Sequence, residues 1–244
     1  MKSSIISAWL VLFLTTACMS KVNGDTELMD TVITMAVIKN NVNLVKHLID
    51  NGADAKIIDS SGNTALMYAV ENGNEKMVEL LLPVSDAKTS NKYGTTVLMY
   101  AAEAGNEKIV ELLLPVSDAK ASTDYGWTAL MFAAKHGNEK TVELLLPVSD
   151  TRARNKNGDT ALIYATISDN EKVVELLLPV SDASAVNNDG YTALMCAAKV
   201  GNKIMVELLF PESDAKAINN LEETALDLAK SNKNDQIVQL LQQL

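Results

Sequence analysis

Residues 59–88 read DSSGNTALMYAVENGNEKMVELLLPVSDAK, and residues 187–216 read NNDGYTALMCAAKVGNKIMVELLFPESDAK. The two stretches share one layout, and the copies between them keep its register. Gly62, Gly94, Gly126, Gly158 and Gly190 recur every 32 residues, and Thr64, Thr96, Thr128, Thr160, Thr192 and Thr224 recur with the same step. A period of this length marks a repeat architecture, in which no unit can bury its apolar face except against its neighbours.

Each part of the unit has a physical task. The Gly two places before Thr permits the positive φ of a tight turn, and Thr then caps a first helix with its hydroxyl. Small pairs such as Ala133 and Ala134 let neighbouring helices approach, while Leu66, Leu98, Leu130, Leu162 and Leu194 fill the space between layers. Gly73, Gly105, Gly137 and Gly201 end the first helix in the left-handed conformation. Asn74, Asn106, Asn138, Asn170 and Asn202 are placed to cap a second helix, and four of the five are followed by Glu in its positively polarised first turn. Met77, Val78, Leu81 and Leu82 fall at helical spacing. All five prolines, Pro83, Pro115, Pro147, Pro179 and Pro211, directly follow the Leu run and stop the second helix, because they lack an N–H. Every unit predicts helix, turn, helix, loop.

This pattern resembles the ankyrin repeat, which runs roughly D-x-x-G-x-T-P-L-H-x-A-A-x-x-G-x-x-x-x-V-x-x-L-L, and the resemblance covers residues 26–244. It implies an all-α ankyrin-repeat solenoid of about seven helix-turn-helix units with short β-hairpin-like finger loops. The units start near residues 26, 59, 91, 123, 155, 187 and 219. It also implies a protein partner, held on a concave surface lined by finger tips and inner-helix ends. The departures carry expectations of their own. Pro-Val-Ser-Asp replaces the family's Gly-Ala-Asp, which survives only at Gly52, Ala53 and Asp54, and this shortens the unit by one residue. Ala65, Ala129, Ala161, Ala193 and Ala225 stand where the family has Pro. Met67, Met99, Met131, Ile163 and Met195 replace the family's His, so apolar packing is expected to substitute for the bonds that His makes. The first unit lacks the Gly-x-Thr turn and the last ends in a polar Gln-rich stretch, as terminal units that face water should.

Composition agrees with many small interfaces: apolar residues make up 48% of the chain and aromatics 5%. With 21 Lys and Arg against 31 Asp and Glu, the formal charge of −10 makes the average surface repel phosphate. Nucleic acid and anionic membrane surfaces are therefore not expected partners.

The first 17 residues have the layout of a signal peptide: Lys2, the apolar run IISAWLVLFL from Ile5 to Leu14, then Thr15, Thr16 and Ala17 before Cys18. The apolar run is shorter than the roughly 20 residues a membrane-spanning helix requires. Leu-Thr-Thr-Ala-Cys resembles a bacterial lipobox, which would make Cys18 a lipidated N-terminal residue and residues 18–25 a tether. Thr15 departs from the usual Leu there, so ordinary cleavage after Ala17 stays open. Removing residues 1–17 removes Lys2 and no acid, so the charge moves from −10 to −11. The expected location is the cell envelope or periplasm of a bacterium, lipid-anchored, with a secreted soluble protein as the alternative.

Few residues offer chemistry. His47 and His136 lie nearly three units apart, which argues against a shared metal or triad. Cys196 takes the place of Tyr68, Tyr100, Phe132 and Tyr164 and reads as a core residue rather than a reactive thiol. Glu79, Glu111, Glu143, Glu175 and Glu207 repeat with the period and read as a solvated face. The glycines form no phosphate cradle. No enzyme activity, cofactor or metal is expected. What the fold leaves free to vary lies at the finger tips and inner-helix ends. There we identify Tyr93, Tyr125, Trp127, Lys135, His136, Asp159, Tyr191 and Lys199 as candidate partner-binding residues, with Trp127 as the principal anchor. Packing of these rings against adjacent fingers is the competing role. The function expected is a non-enzymatic, monomeric protein-binding module of the cell envelope. Its alternatives are an exported effector acting on another organism's proteins and a structural accessory.

Overall fold

The structure, a computed structural model, describes residues 26–242; the predicted leader, Cys18 and the tether lie outside them. Fourteen α-helices make up most of the regular structure of the described residues, in consecutive pairs. The first pairs are α1 (Thr26–Ile38) with α2 (Val42–Asp50), and α3 (Ala65–Glu71) with α4 (Glu75–Leu81). Next come α5 (Val97–Ala104) with α6 (Glu107–Leu113), and α7 (Ala129–His136) with α8 (Glu139–Leu145). Then follow α9 (Ala161–Ile167) with α10 (Glu171–Leu177), α11 (Ala193–Val200) with α12 (Lys203–Leu209), and α13 (Ala225–Ser231) with α14 (Asp235–Gln242). None of these helices is long and apolar enough to cross a membrane.

The chain divides between Asn91 and Lys92 into two compact units. In the N-terminal unit α1 packs on α3 and α2 on α4. In the C-terminal unit the first helices α5, α7, α9, α11 and α13 stack in one layer, and the second helices α6, α8, α10, α12 and α14 stack in another. The core of each unit lies between such layers. Leu98, Leu130, Leu162 and Leu194 are buried in the C-terminal unit and Leu66 in the N-terminal one, together with the Ala pairs 101–102, 133–134 and 197–198. Val110, Val142, Val174 and Val206 close the core from the second layer. Each such Leu or Val contributes on the order of 1.5–3 kcal/mol by leaving water.

The caps follow the sequence with two informative differences. Thr64, Thr128, Thr160, Thr192 and Thr224 each accept an N–H from the third helical residue through the side chain. Where the family has His, the Met67 sulfur accepts the Thr64 N–H at 3.4 Å and the Met99 sulfur that of Thr96 at 3.5 Å. Methionine therefore contributes a weak acceptor beyond the apolar packing expected of it and completes the cap at Thr64, whereas the Thr96 hydroxyl, expected to cap α5, is buried without a hydrogen-bond partner. Asn74, Asn106 and Asn202 cap α4, α6 and α12. Asn138 and Asn170 do not cap α8 and α10 through their side chains. Their amide nitrogens instead donate to carbonyls of the preceding unit, Asn138 to Ala102 at 2.8 Å and Asn170 to Ala134 at 3.2 Å. The same residue type ties one repeat to the next instead of starting a helix.

The prolines end α4, α10 and α12 and open a single tighter turn at Leu82–Val84, Leu178–Val180 and Phe210–Glu212. Proline is tolerated there because its missing N–H falls in a first turn. The fingers are hairpin-like but minimal, with bridges pairing Ile58 with Thr64 and Ser122 with Thr128. The first residue of each finger shapes its turn. Asn155 Oδ1 accepts from the N–H groups of Asn157 and Asp159, both at 2.9 Å, and Asn187 and Asn219 repeat the arrangement.

Candidate functional site

In the C-terminal unit each finger tip is fastened to the next by one main-chain hydrogen bond. Asp124 N–H donates to Tyr93 O and Lys156 N–H to Tyr125 O, both at 2.9 Å; Asn188 donates to Asn157 O at 2.8 Å and Asn220 to Asp189 O at 3.0 Å. Gly126 shows why small residues sit at these crossings. Its φ is +78°, and a Cβ there would lie 2.9 Å from Asn155 Cα. The tips stand in fixed register.

Two tyrosines project from this scaffold, Tyr93 at 61% and Tyr125 at 63% exposure. The Lys156 ammonium lies 5.2 Å from the Tyr125 ring centroid. Two positions along, Trp127 is half-buried. Its ring meets Tyr164 at 4.3 Å and Phe132 at 5.0 Å between centroids, with Lys135 Nζ 5.2 Å above it. Tilted ring pairs and a cation over the indole are favourable arrangements, each worth roughly 0.5–1.5 kcal/mol. Tyr191, also half-buried, carries Lys199 Nζ 4.7 Å over its ring. His136 lies at the end of α7, where Nδ1 reaches Phe132 O at 3.0 Å and Nε2 stands 3.9 Å from Glu103 Oε1.

The structure thus brings four of the candidate residues together in two pairs, Trp127 with Lys135 and Tyr191 with Lys199. Asp159 departs from the expectation. It is 6% exposed, accepts the Tyr164 hydroxyl at 3.1 Å and receives the Asn187 amide at 2.9 Å, so it joins two fingers and presents nothing to a partner. Burial above all, then the charge of Asp159 and its hydrogen bond, pushes the Tyr164 hydroxyl up to about 12, against an opposing bond from Asn155. Phe132 and Tyr164, the platform under Trp127, are the site residues that sequence reasoning missed. The signal was present in the recurrence of Tyr68, Tyr100, Phe132 and Tyr164 at one position of the unit.

Among the described residues no group of three or more His, Cys, Asp or Glu could hold a metal ion. Cys196 is buried, and burial pushes its thiol up to about 12, with a further raise from Asp159 and an opposing effect of Lys199. The thiol is neutral at ordinary pH. The arrangement is one of rings, cations and hydrogen-bonding tips on a stacked scaffold, suited to contact.

The family model for ankyrin repeats in three copies matches residues 10–89, 33–121, 115–184 and 180–244. No curated protein matches the chain. Among solved structures, the ankyrin repeat domain of Bcl-3, titled a unique member of the IkappaB protein family, is similar at 26% identity. The similarity covers 84% of this chain and 96% of that one, with a TM-score of 0.72. With its repeats matched along the chain and its helix pairs stacked as in that domain, the chain belongs to the ankyrin-repeat family of protein–protein interaction modules.

Proposed function

We propose that this chain is an exported lipoprotein of a bacterial cell envelope, anchored through Cys18, which holds a protein partner on the finger tips and inner-helix ends of residues 92–199. The observation that carries the binding face is the set of rings on the C-terminal unit. Tyr93 and Tyr125 are mostly exposed, and Tyr125, Trp127 and Tyr191 each have a lysine ammonium within 5.2 Å of the ring centroid. Aromatic side chains offer large contact area at low entropic cost, and rings already held by neighbours lose little further freedom on binding. The net charge of −10 favours a protein over nucleic acid. The anchor is supported by the apolar leader and by Leu14-Thr15-Thr16-Ala17-Cys18.

Crosslinking in intact cells tests the face. The double variant Tyr125→Ala/Trp127→Ala is expected to recover at least about tenfold less partner than wild type, as loss of a central aromatic anchor does. Equal recovery overturns the reading. Incorporation of labelled palmitate, expected in wild type and lost in Cys18→Ala, tests the anchor. Absence of label in wild type favours the secreted alternative.

A further inference from the structure

Four successive units place a half-buried aromatic ring at one point of the first helix: Tyr68, Tyr100, Phe132 and Tyr164. The fifth has Cys196. A recess of about 320 Å³ opens beside that thiol, with Ile167, Val200, Tyr191 and Lys199 among its walls and Asn187 at its polar edge. Ile167 and Val200 are each 46% exposed and form apolar lips. The recess is at the small end of the ~300–1,000 Å³ range of ligand sites, room for one large side chain.

The preceding unit shows what such a space accepts. Asn155 stands nine residues before Tyr164 and donates its amide to the phenol oxygen at 2.7 Å. Asn187 stands nine residues before Cys196. Its Oδ1 accepts from the N–H groups of Asp189 and Tyr191, which fixes the amide, and its Nδ2 donates to Asp159 at 2.9 Å. An amide nitrogen carries two hydrogens, so one bond to Asp159 leaves the other for a hydroxyl. Lys199 Nζ, 4.7 Å over the Tyr191 ring, holds that wall in place.

We propose that this recess receives a tyrosine side chain of the protein partner. Its ring takes the space that the chain fills with its own rings in four other units, and its hydroxyl accepts from Asn187. A preformed pocket for one aromatic anchor is where binding energy concentrates. The inference rests on the reading that this face binds protein, and it assigns the chemistry of one contact there.

Methyl NMR of the chain labelled at Ile and Val tests it, with N-acetyl-tyrosinamide and N-acetyl-phenylalaninamide as probes. The tyrosine probe is expected to shift the Ile167 and Val200 methyl signals more than the phenylalanine probe does. Cys196→Tyr rebuilds the missing ring and is expected to weaken the response at least about tenfold. Cys196→Ser leaves the recess open and retains it. Silence of both methyls in wild type, equal response to the two probes, or full response in Cys196→Tyr overturns the assignment. In the cellular crosslinking, Cys196→Tyr is expected to lose the partner. Capture lost with Tyr125→Ala/Trp127→Ala but kept with Cys196→Tyr overturns the recess and leaves the binding face standing. Capture kept by both overturns the two together.

Discussion

Tyr164 performs two tasks with one side chain: its ring supports Trp127 and its hydroxyl bonds Asn155 and Asp159. Its folded pKa of about 12 lies above the ordinary 10.0, so the native state retains the phenol proton where the unfolded chain would release it. The associated stability is complete below pH 10 and is lost as pH rises towards 12. Urea denaturation across that range should show a falling midpoint in wild type and a shallower fall in Tyr164→Phe. At Trp127, replacement by Ala is expected to cost about 2 kcal/mol, less than a fully buried Trp because the ring is half-buried. Lys135→Ala should cost only about 0.5 kcal/mol in the same measurement. That Trp127 stands on a finger was legible from its place directly before the capping Thr128, but its stacking on Tyr164 was not, because that ring belongs to the next unit. The burial of Asp159 was not, because it is set by Tyr164 and by Asn187, 28 residues away in the next finger. Cys196 was correctly legible as interior, but the recess beside it depends on where Ile167 and Tyr191 end up in space.

At the level of the element, the finger is the part most constrained by geometry. Gly126 and Gly52 both have positive φ, yet a Cβ on Gly126 meets the backbone of the next finger, while one on Gly52 meets nothing within 4 Å. Gly126→Ala should therefore cost about 2–4 kcal/mol and Gly52→Ala about 1 kcal/mol, read as the difference in urea midpoints. If the two costs were equal, crowding between fingers would not matter. The Thr caps and Pro stops were readable because both act within a few residues of themselves. The departure of Asn138 and Asn170 from capping was not readable, since their amides answer carbonyls 35 and 36 residues earlier. Likewise, a methionine acting as acceptor for Thr64 depends on the approach of its sulfur to an N–H, which residue type does not fix.

On the scale of the molecule, the C-terminal unit holds its own two layers and its own core of Leu98, Leu130, Leu162 and Leu194. A fragment of residues 92–244 is expected to fold alone, with a helical circular dichroism spectrum and one cooperative urea transition. A fragment with a coil spectrum would refute this. The stacking of helix pairs was legible from the 32-residue period because neighbour contacts repeat with the sequence. The division at Asn91 and Lys92 was not, because the period runs through it unbroken.

The four bonds that link successive finger tips, from Tyr93 O to Asn220 N, work like the fixed teeth of a comb. No tooth can lean towards a visitor without breaking its tie to the next. If a partner docks on these tips as proposed, adaptation falls on that partner, whose side chains must arrive already spaced to match. Association on that face is then expected at the ordinary rate of rigid docking, about 10⁵–10⁷ M⁻¹s⁻¹, with well-spaced and poorly spaced partners differing mainly in how long they stay.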